Sequence, residues 1–464
     1  MDSRSLSRIY LYLFVVICMG ASLASCGQPS LPPMQVQRDP LQSWIEQHAI
    51  PFKTTDAQAP LDDLASLQGI AGQASIVGLG EATHGSHEFF TMKQRVLEFL
   101  VEKMGFTMFA MEASWSAGEQ INHYVLTGRG DARKLLQQFH EWVWSTQEVL
   151  NLIQWMRAYD ADPRHIQKVR FAGFDCQDIE TITFDNVERY VQSVAPQQVA
   201  QVAALYTGIR PDPAQNWDSY MHAYNSAPPA IRQQYVARAE NVYALLNAHQ
   251  AQYEKASSPQ AFAQALQEAH IIVEYTQFMV LLNDPKAQSK AIQQRDIFMA
   301  DNIAWLHEHS DGGEKIALWA HDGHIGVWTY EGGYTIMGKF LRQRYHKQYL
   351  VIGTSFYQGM FNAYGKKLGD PVARLQAFTM PPPSKDSYNY ILGHAGIPLY
   401  ILDLRRPPPG AVSRWLKGPY KFRLAGAGYN DADESQFYDV IGLGAYFDVL
   451  IHIQQVTASH LIDY

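Results

Sequence analysis

The sequence predicts an α/β fold in which a mostly parallel central sheet is flanked by helices and carries an inserted helical cap subdomain. Two observations predict this class. Short apolar runs alternate with helical stretches along the 464 residues, and residues 181–310 have helical spacing without a strand-like run. Continuous apolar runs are typical of strands buried on both faces of a parallel sheet, and their alternation with helices favours β-α-β units over a sandwich.

The predicted strands are short segments rich in β-branched, aromatic or other apolar residues. They lie at 75–79, 107–111, 169–174, 315–320, 349–355 and 398–404. Because the helical stretch 181–310 falls between the third and fourth strands, we predict a first part of the α/β core at 46–180 and a second part at 311–464. The inserted helices are then expected to form a cap over the site.

The composition is that of a globular protein with a core, since 47% of the residues are hydrophobic and 18% are charged. The 37 Lys and Arg residues against 45 Asp and Glu residues give a net charge of −8. Because the chain also has no basic run, nucleic acid is excluded as the main partner. Three cysteines are too few for a disulfide scaffold.

The first residues have the parts of an export signal, namely two arginines, an apolar run at 9–23 and small residues after it. The run is shorter than the about 20 residues of a membrane-spanning helix. It leads into Leu23-Ala24-Ser25-Cys26, which resembles a bacterial lipobox. We therefore predict a lipoprotein signal peptide at 1–25, a lipid anchor at Cys26 and a flexible tether at 26–45, with the protein exported and held on a bacterial membrane, on its periplasmic or cell-surface face. The alternative is an ordinary cleaved signal.

Polar side chains follow four of the predicted strands. Glu81 comes after the first, Glu112 after the second, Asp175 after the third and His321 after the fourth, with His324 three residues later. In an open α/β sheet, ligands bind in the crevice beyond the carboxyl ends of the strands. The sequence therefore predicts a site at this edge, with Asp175 and His324 on its substrate-binding side.

The segment after the first strand contains a candidate general base. If a helix begins near Ala82, its spacing places three side chains on one face. They are Glu81, His84 and Glu88. A histidine held by a carboxylate has its tautomer and orientation fixed, as a general base requires, and Glu88 is assigned to substrate binding. His87 lies on another face, which indicates a structural role.

The residues leave other chemistries open. His321 and His324 are spaced to supply a second acid/base group, an oxyanion donor or a pair of metal ligands. With the acidic residues at the other strand ends they offer the donor types that bind zinc or manganese. A serine nucleophile is disfavoured because the chain has no G-x-S-x-G turn. The lone Cys176 is typical of a buried packing residue.

The blocks of sequence that carry these residues resemble the erythromycin esterase family. The matching stretches are Gly78–Gly85 with Glu88–Phe90, Ala110–Ala113, Phe171–Gln177, Arg295–Asn302, Trp319–His324 and Gly353–Phe356. The similarity runs from about residue 55 to 455, in the order expected of the family.

This resemblance implies hydrolysis of a carboxylic ester by water, such as the macrolactone ring of a macrolide antibiotic. It implies no covalent intermediate and no metal or other cofactor. The family's general-base histidine falls on His84, and its supporting acidic residues fall on Glu81 and Glu112. Its second catalytic histidine falls on His321, with His324 beside it.

The resemblance also implies a basic substrate-binding residue on the first helix after the loop, at Lys93 or, alternatively, Arg95. Family members that inactivate macrolides have arginine at the first of these positions and an aromatic residue where this chain has Gly85. Both differences are expected at the substrate side of the site.

The sequence is therefore interpreted as an exported, membrane-tethered ester hydrolase whose partner is a small-molecule ester and which needs no cofactor. Two alternatives remain open. One is a haem- or metal-binding lipoprotein without turnover, and the other is a metal-dependent hydrolase that uses the same crevice of histidine and glutamate side chains.

Overall fold

The computed structural model describes residues 39–137, 139–309 and 313–462. In these residues the strands are β1 Ile50–Pro51, β2 Ile76–Leu79, β3 Met108–Ser114, β4 Arg170–Asp175, β5 Ile316–Trp319, β6 Tyr349–Lys366, β7 Arg374–Met380, β8 Leu399–Asp403, β9 Tyr420–Arg423, β10 Gly428–Asn430, β11 Tyr438–Ile441 and β12 Val449–Val456. The helices are α1 Pro40–His48, α2 Ser66–Ala71, α3 His87–Met104, α4 Trp115–Thr127, α5 Ala132–Gln137, α6 Gln147–Ala161, α7 Thr181–Val194, α8 Val199–Leu205, α9 Trp217–Ser226, α10 Pro229–Ala248, α11 Gln250–Ala256, α12 Pro259–Leu282, α13 Gln288–Glu308, α14 Asp322–Ile325, α15 Met337–Tyr345, α16 Tyr388–Gly393, α17 Ala411–Lys417 and α18 Leu443–Tyr446.

The central sheet has the strand order β1-β8-β12-β6-β2-β5-β3-β4, with β7 and β10 paired to β6. From β12 to β4 every neighbouring pair is parallel. The predicted α/β fold with a mostly parallel sheet is therefore confirmed. The predicted strand at 398–404 is the exception among the six, because it forms β8 and pairs antiparallel with β12.

The strands at the centre of the sheet are buried along their whole length, as their apolar composition predicts. All residues of β2, β3 and β5 are buried. Two nearby helices, α4 and α6, begin at side-chain caps. The Ser114 side chain accepts from the N–H of Ala117 at 3.2 Å at the start of α4, and Thr146 accepts from that of Val149 at 3.2 Å at the start of α6. The first of these caps lies where β3 ends and the chain turns into α4.

Helices alone occupy the described chain between β4 and β5, from α7 to α13. They belong to the same compact unit as the sheet, a unit that begins at residue 39. Trp217 of α9, Phe278 of α12 and Ile292 of α13 line one cavity together with side chains from the sheet edge. The inserted helices thus contribute walls to that cavity.

The predicted signal peptide, Cys26 and most of the tether lie outside the described residues. The predicted end of the tether at residue 45 is wrong, because α1 begins at Pro40. The Asp39 side chain caps its first turn, and Trp44 and Ile45 are buried. Across the described ranges, none of the helices has both the length and the apolar character needed to cross a bilayer.

Candidate active site

The loop between β2 and α3 is held against the rest of the core by close backbone packing. A Cβ on Gly80 would lie 1.8 Å from Oδ1 of Asp322, and one on Gly85 would lie 1.9 Å from the backbone oxygen of Asn362. The N–H of Asn362 also donates to the carbonyl of Gly85 at 3.0 Å. Only glycine fits at these two positions, so the path of the loop is set at both ends.

Glu81 and His84 are hydrogen-bonded within this loop. No helix joins them, since α3 begins at His87 and the predicted start near Ala82 is wrong. Nδ1 of His84 lies 2.7 Å from Oε1 of Glu81, and Nζ of Lys93 lies 2.5 Å from Oε2. Because an ionised carboxylate only accepts, Nδ1 carries the proton and the neutral ring keeps its lone pair on Nε2. Burial lowers the pKa of Lys93, while the charge of Glu81 opposes that shift.

His321 has the opposite tautomer. Its ring centroid lies 4.8 Å from that of His84, and its Nδ1 accepts the N–H of Gly323 at 3.1 Å. The proton of the neutral ring is therefore on Nε2, an atom that is buried without a hydrogen-bond partner in the part of the chain that the structure describes. Burial, followed by the charge of His84, lowers the pKa of His321 well below its usual value. The ring is thus neutral near pH 7 and offers a donor.

Glu112 connects His321 to a buried cluster of charges. Its Oε2 accepts the backbone N–H of His321 at 2.8 Å, and its Oε1 lies 2.8 Å from Nη2 of Arg295. The same guanidinium nitrogen lies 2.5 Å from Oδ2 of Asp175. Burial would raise the pKa of Glu112, but the positive charges of His324 and Arg295 outweigh it and hold that pKa below its usual range. Glu112 is therefore ionised and fixes the backbone that carries His321.

His324 completes this cluster. Its Nδ1 lies 2.8 Å from Oδ1 of Asp296, and its Nε2 lies 3.3 Å from Oε1 of Glu112. Burial lowers the pKa of His324, but the negative charges of Glu112 and Asp296 raise it above its usual value overall. Both ring nitrogens are therefore engaged with carboxylates, so His324 supports Glu112.

A cavity of about 670 Å³ opens over these side chains. Both His84 and His321 line it, and aromatic walls come from Trp142, Trp144 and Trp217. The ring of Trp144 meets that of His84 edge to face at 5.6 Å. Pockets of roughly 300–1,000 Å³ with apolar walls and a few polar groups are typical of sites for drug-sized molecules. This cavity combines that shape with two facing histidine rings.

Three of the predicted substrate-binding residues do not line the cavity. Glu88 accepts from the backbone N–H of Thr457 at 2.6 Å and from its hydroxyl at 2.7 Å. Arg95 is buried against Asp63 at 2.7 Å. Lys93 binds Glu81, as described above. Each of the three side chains is thus committed to a partner within the protein and does not face the cavity, so the structure lends no support to their predicted contact with substrate.

Of the other two predicted substrate-binding residues, one lines the cavity and one does not. His324 lines the cavity, whereas Asp175 contacts it only through Arg295. Gly85, one of the two departures from the family pattern, packs against β6, and Lys93, the other, binds Glu81. Neither residue lines the cavity, whereas both differences were expected at the substrate side of the site.

Two functional features escaped the sequence reasoning. Arg295 holds Glu112 and Asp175 together, and its only signal was its place in a matching stretch beside Asp296. Trp144 packs on His84, and nothing in the sequence near it indicated this contact. Both reach the site through tertiary packing, from α13 and from the segment before α6.

Comparison with known proteins adds an independent line of evidence. The family model described as erythromycin esterase matches residues 101–456, a range that begins after the loop carrying His84. The erythromycin esterase type II of Escherichia coli is 23% identical over 384 residues, which cover 79% of this chain and 89% of that protein.

Two solved structures are similar over nearly the whole chain. The crystal structure of a Bacillus cereus protein has a TM-score of 0.81 and 32% identity, covering 91% of this chain and 98% of that one. A mutant of the erythromycin esterase EreC in its open conformation has a TM-score of 0.69 and 15% identity, covering 90% of this chain and 100% of that one, and so shows the shared fold. With the family model matched over most of its length, the chain belongs to the erythromycin esterase family of hydrolases.

Proposed function

We propose that the protein hydrolyses a carboxylic ester, with His84 as the general base and His321 as the hydrogen-bond donor to the developing oxyanion. The observation that carries this proposal is the pair of facing histidines with opposite tautomers. Their ring centroids are 4.8 Å apart. One neutral ring has its lone pair on Nε2 and the other has its proton there, which are the two properties that ester hydrolysis by water requires.

The reaction then runs in two steps. Nε2 of His84 removes a proton from water as the water oxygen bonds to the carbonyl carbon, and the carbonyl electron pair moves to its oxygen. Nε2–H of His321 donates to that oxyanion. When the tetrahedral intermediate collapses, the bond to the alkoxide breaks and the alkoxide takes the proton from His84. The products are a carboxylic acid and an alcohol.

The surrounding charges support each histidine in its role. Glu81 stabilises the imidazolium that forms on His84, and Lys93 binds the other oxygen of Glu81, with 2.5 Å between Nζ and Oε2. Glu112 acts through the backbone of His321, and Arg295 acts through Glu112. We therefore treat Glu112 and Arg295 as positioning residues.

The decisive test of the base is His84→Asn. General-base catalysis contributes about 10²–10⁴-fold, so we expect kcat to fall by that factor with the fold retained by circular dichroism. His123→Asn is the matched control, since His123 is an exposed residue of α4, and it should keep wild-type turnover. Wild-type turnover in a folded His84→Asn protein would overturn the mechanism.

We further propose that the ester is bulky and apolar, with a macrolactone as the leading class. The support is the aromatic cavity of about 670 Å³ together with the similarity to the erythromycin esterase type II of Escherichia coli, at 23% identity. The test is incubation with a panel of macrolides and simple esters, read by mass spectrometry with and without EDTA. We expect a gain of one water that EDTA does not prevent. Turnover that EDTA abolishes would favour a metal-dependent hydrolase instead.

We also propose that the chain is exported and lipid-anchored through Cys26, on the basis of the apolar run and lipobox-like tetrapeptide before it. Expression in a bacterial host with labelled palmitate tests this. The wild-type chain should carry label and sediment with membranes, and Cys26→Ser should lose the label. Label on the Cys26→Ser chain, or none on the wild type, would contradict the proposal.

A further inference from the structure

A second cluster of histidine and glutamate lies outside the cavity. It brings together three segments that are distant in sequence. His87 is the first residue of α3, Glu148 lies in the first turn of α6, and His460 belongs to the segment after β12. None of the three lines the cavity that contains His84. The proposed hydrolysis uses none of them.

The three side chains converge on one point. Nδ1 of His87 lies 2.6 Å from Oε1 of Glu148, and Nδ1 of His460 lies 2.7 Å from the same oxygen. One ligand atom from each residue lies within 4.8 Å of the other two. Two imidazoles and one carboxylate are a donor set that Zn²⁺ and related divalent transition metals prefer.

The backbone holds these donors in place. The N–H of His87 donates to the carbonyl of Thr457 at 2.9 Å, and the N–H of Gln147 donates to the carbonyl of His460 at 2.8 Å. The N–H of His460 also lies 3.2 Å from both oxygens of Glu148. The donors are thus positioned by secondary structure and strand-like pairing, which limits the ordering cost of binding an ion.

The three side chains of this cluster differ in their exposure to solvent. The side chain of Glu148 is 3% exposed, that of His87 32% and that of His460 67%. A buried carboxylate with two partly exposed imidazoles leaves one side open to solvent, where water can complete a four-coordinate site. The exposure also gives an ion a route to the donors.

We propose that His87, Glu148 and His460 form a binding site for a divalent transition-metal ion of the zinc type, separate from the catalytic cavity. Each histidine coordinates through Nδ1 and Glu148 through Oε1, so that the ion takes the place of the two hydrogen bonds to that oxygen. The two neutral imidazoles and the carboxylate leave a net charge of about +1 at the site.

Such an ion would tie the segment after β12 to the loop of His84. The N–H of Ser459 donates to the carbonyl of Gly85 at 2.9 Å, and the N–H of Ile462 donates to that of Ser145 at 3.0 Å. Gly85 follows His84, and Ser145 follows Trp144, which packs on His84. The site therefore braces the two segments that hold the general base, without touching the substrate.

The test uses the purified protein after EDTA treatment and removal of the chelator. We titrate it with ZnCl₂ by calorimetry and with Co²⁺ by visible absorption, and we follow the melting temperature. His460→Ala should weaken Zn²⁺ binding at this site by more than about 100-fold, since even the loss of an outer hydrogen-bond partner costs about 10–100-fold. Because His460 is largely exposed, this variant is expected to fold, and its melting temperature without metal provides the check.

Two comparison variants make the result specific. His123→Asn removes an exposed histidine elsewhere, and His321→Asn removes one from the catalytic cavity. Both should retain the Zn²⁺ site, whereas His87→Gln should lose it as His460→Ala does. The proposal is overturned if the wild-type protein binds no Zn²⁺, or if binding survives His460→Ala at full stoichiometry. Loss of binding in His321→Asn alone would assign the ion to the cavity.

Discussion

Two clusters of histidine and glutamate contain histidines that are only three residues apart in the chain, His84 and His87. The hydrogen bonds of the two clusters are arranged differently. In the cavity, His84 and His321 have separate partners for their Nδ1 atoms. In the second cluster, two Nδ1 atoms share one oxygen of Glu148. The comparison shows that residue type alone does not determine chemistry. Separate partners leave an acceptor and a donor for a reactant, whereas convergence on one point suits an ion.

The strongest test of this comparison is to substitute one glutamate that precedes His84 in the sequence and one that follows it. Glu81→Gln should lower kcat by about 10³-fold, within the range for general-base catalysis, because the amide cannot stabilise the imidazolium. Glu88→Gln is the matched control and should leave kcat unchanged, since Glu88 binds Thr457. Equal effects of the two substitutions on kcat, measured with the same ester, would contradict the assignment of Glu81 to catalysis and of Glu88 to a structural contact.

The oxyanion donor gives the next largest effect. His321→Ala should lower kcat by about 10²–10³-fold, the usual result of removing one donor to an oxyanion. His321→Gln should recover part of the loss because its amide can donate. In metal-free protein, His460→Ala should leave kcat at the wild-type value. A loss of kcat in His460→Ala as large as that in His321→Ala would mean that the second cluster takes part in the reaction.

Arg95 tests whether a buried charge near the site supports stability alone. Arg95→Met removes the ion pair with the half-buried Asp63, which keeps the backbone N–H of Lys53. It also leaves the carbonyl of Pro60 without its donor. Losing hydrogen bonds to a charged group typically costs about 1.5–3 kcal/mol. We expect a lower urea midpoint, with kcat of the folded fraction unchanged. Arg374→Met is the control, since Arg374 is 63% exposed and should shift the midpoint little. A fall in kcat per folded molecule would show that Arg95 also contributes to the activity.

The smallest expected effect is in the titration of the two histidines in metal-free protein. Burial lowers the pKa of His321 well below the ordinary histidine value of 6.5, and the hydrogen bond to Glu148 raises the pKa of His87 above it. The stability from His321 is therefore full above pH 6.5 and is lost as the pH falls below that value. The stability from His87 is full below pH 6.5 and is lost as the pH rises through its folded pKa. NMR titration of the ring protons measures both directions, and a reversed order of the two pKa values would contradict the assignment.

Much of the fold could be predicted from the sequence because its signals are local. The apolar runs of β2, β3, β4 and β5 and the polar residues at their ends are read directly from neighbouring letters, and parallel pairing then places those ends at one edge. The contact between Glu81 and His84 was predicted on a helix and occurs in a loop. The spacing of three residues brings them together in either conformation.

The errors arise where distant chain segments decide the outcome. Lys93 and Arg95 lie two positions apart on α3, so they point in different directions, and only tertiary packing determines that Lys93 meets Glu81 while Arg95 meets Asp63. Glu88 accepts a hydrogen bond from Thr457, which is 369 residues later in the chain, and does not face the cavity. Arg295 reaches the site from the far end of the helical insertion. No local sequence pattern predicts such contacts.

The bonds from residues 457–462 to the segments around His84 have a consequence for the order of folding. Gly85 accepts from Ser459, and Ser145 accepts from Ile462, so both segments lack these bonds until residues 457–462 have been synthesised and docked. Since β12 lies between β8 and β6 in the sheet, a nascent chain that has completed β6 but not β12 also lacks the strand that leads into those residues. The loop of His84 is thus expected to take its final form only after β12 has joined the sheet.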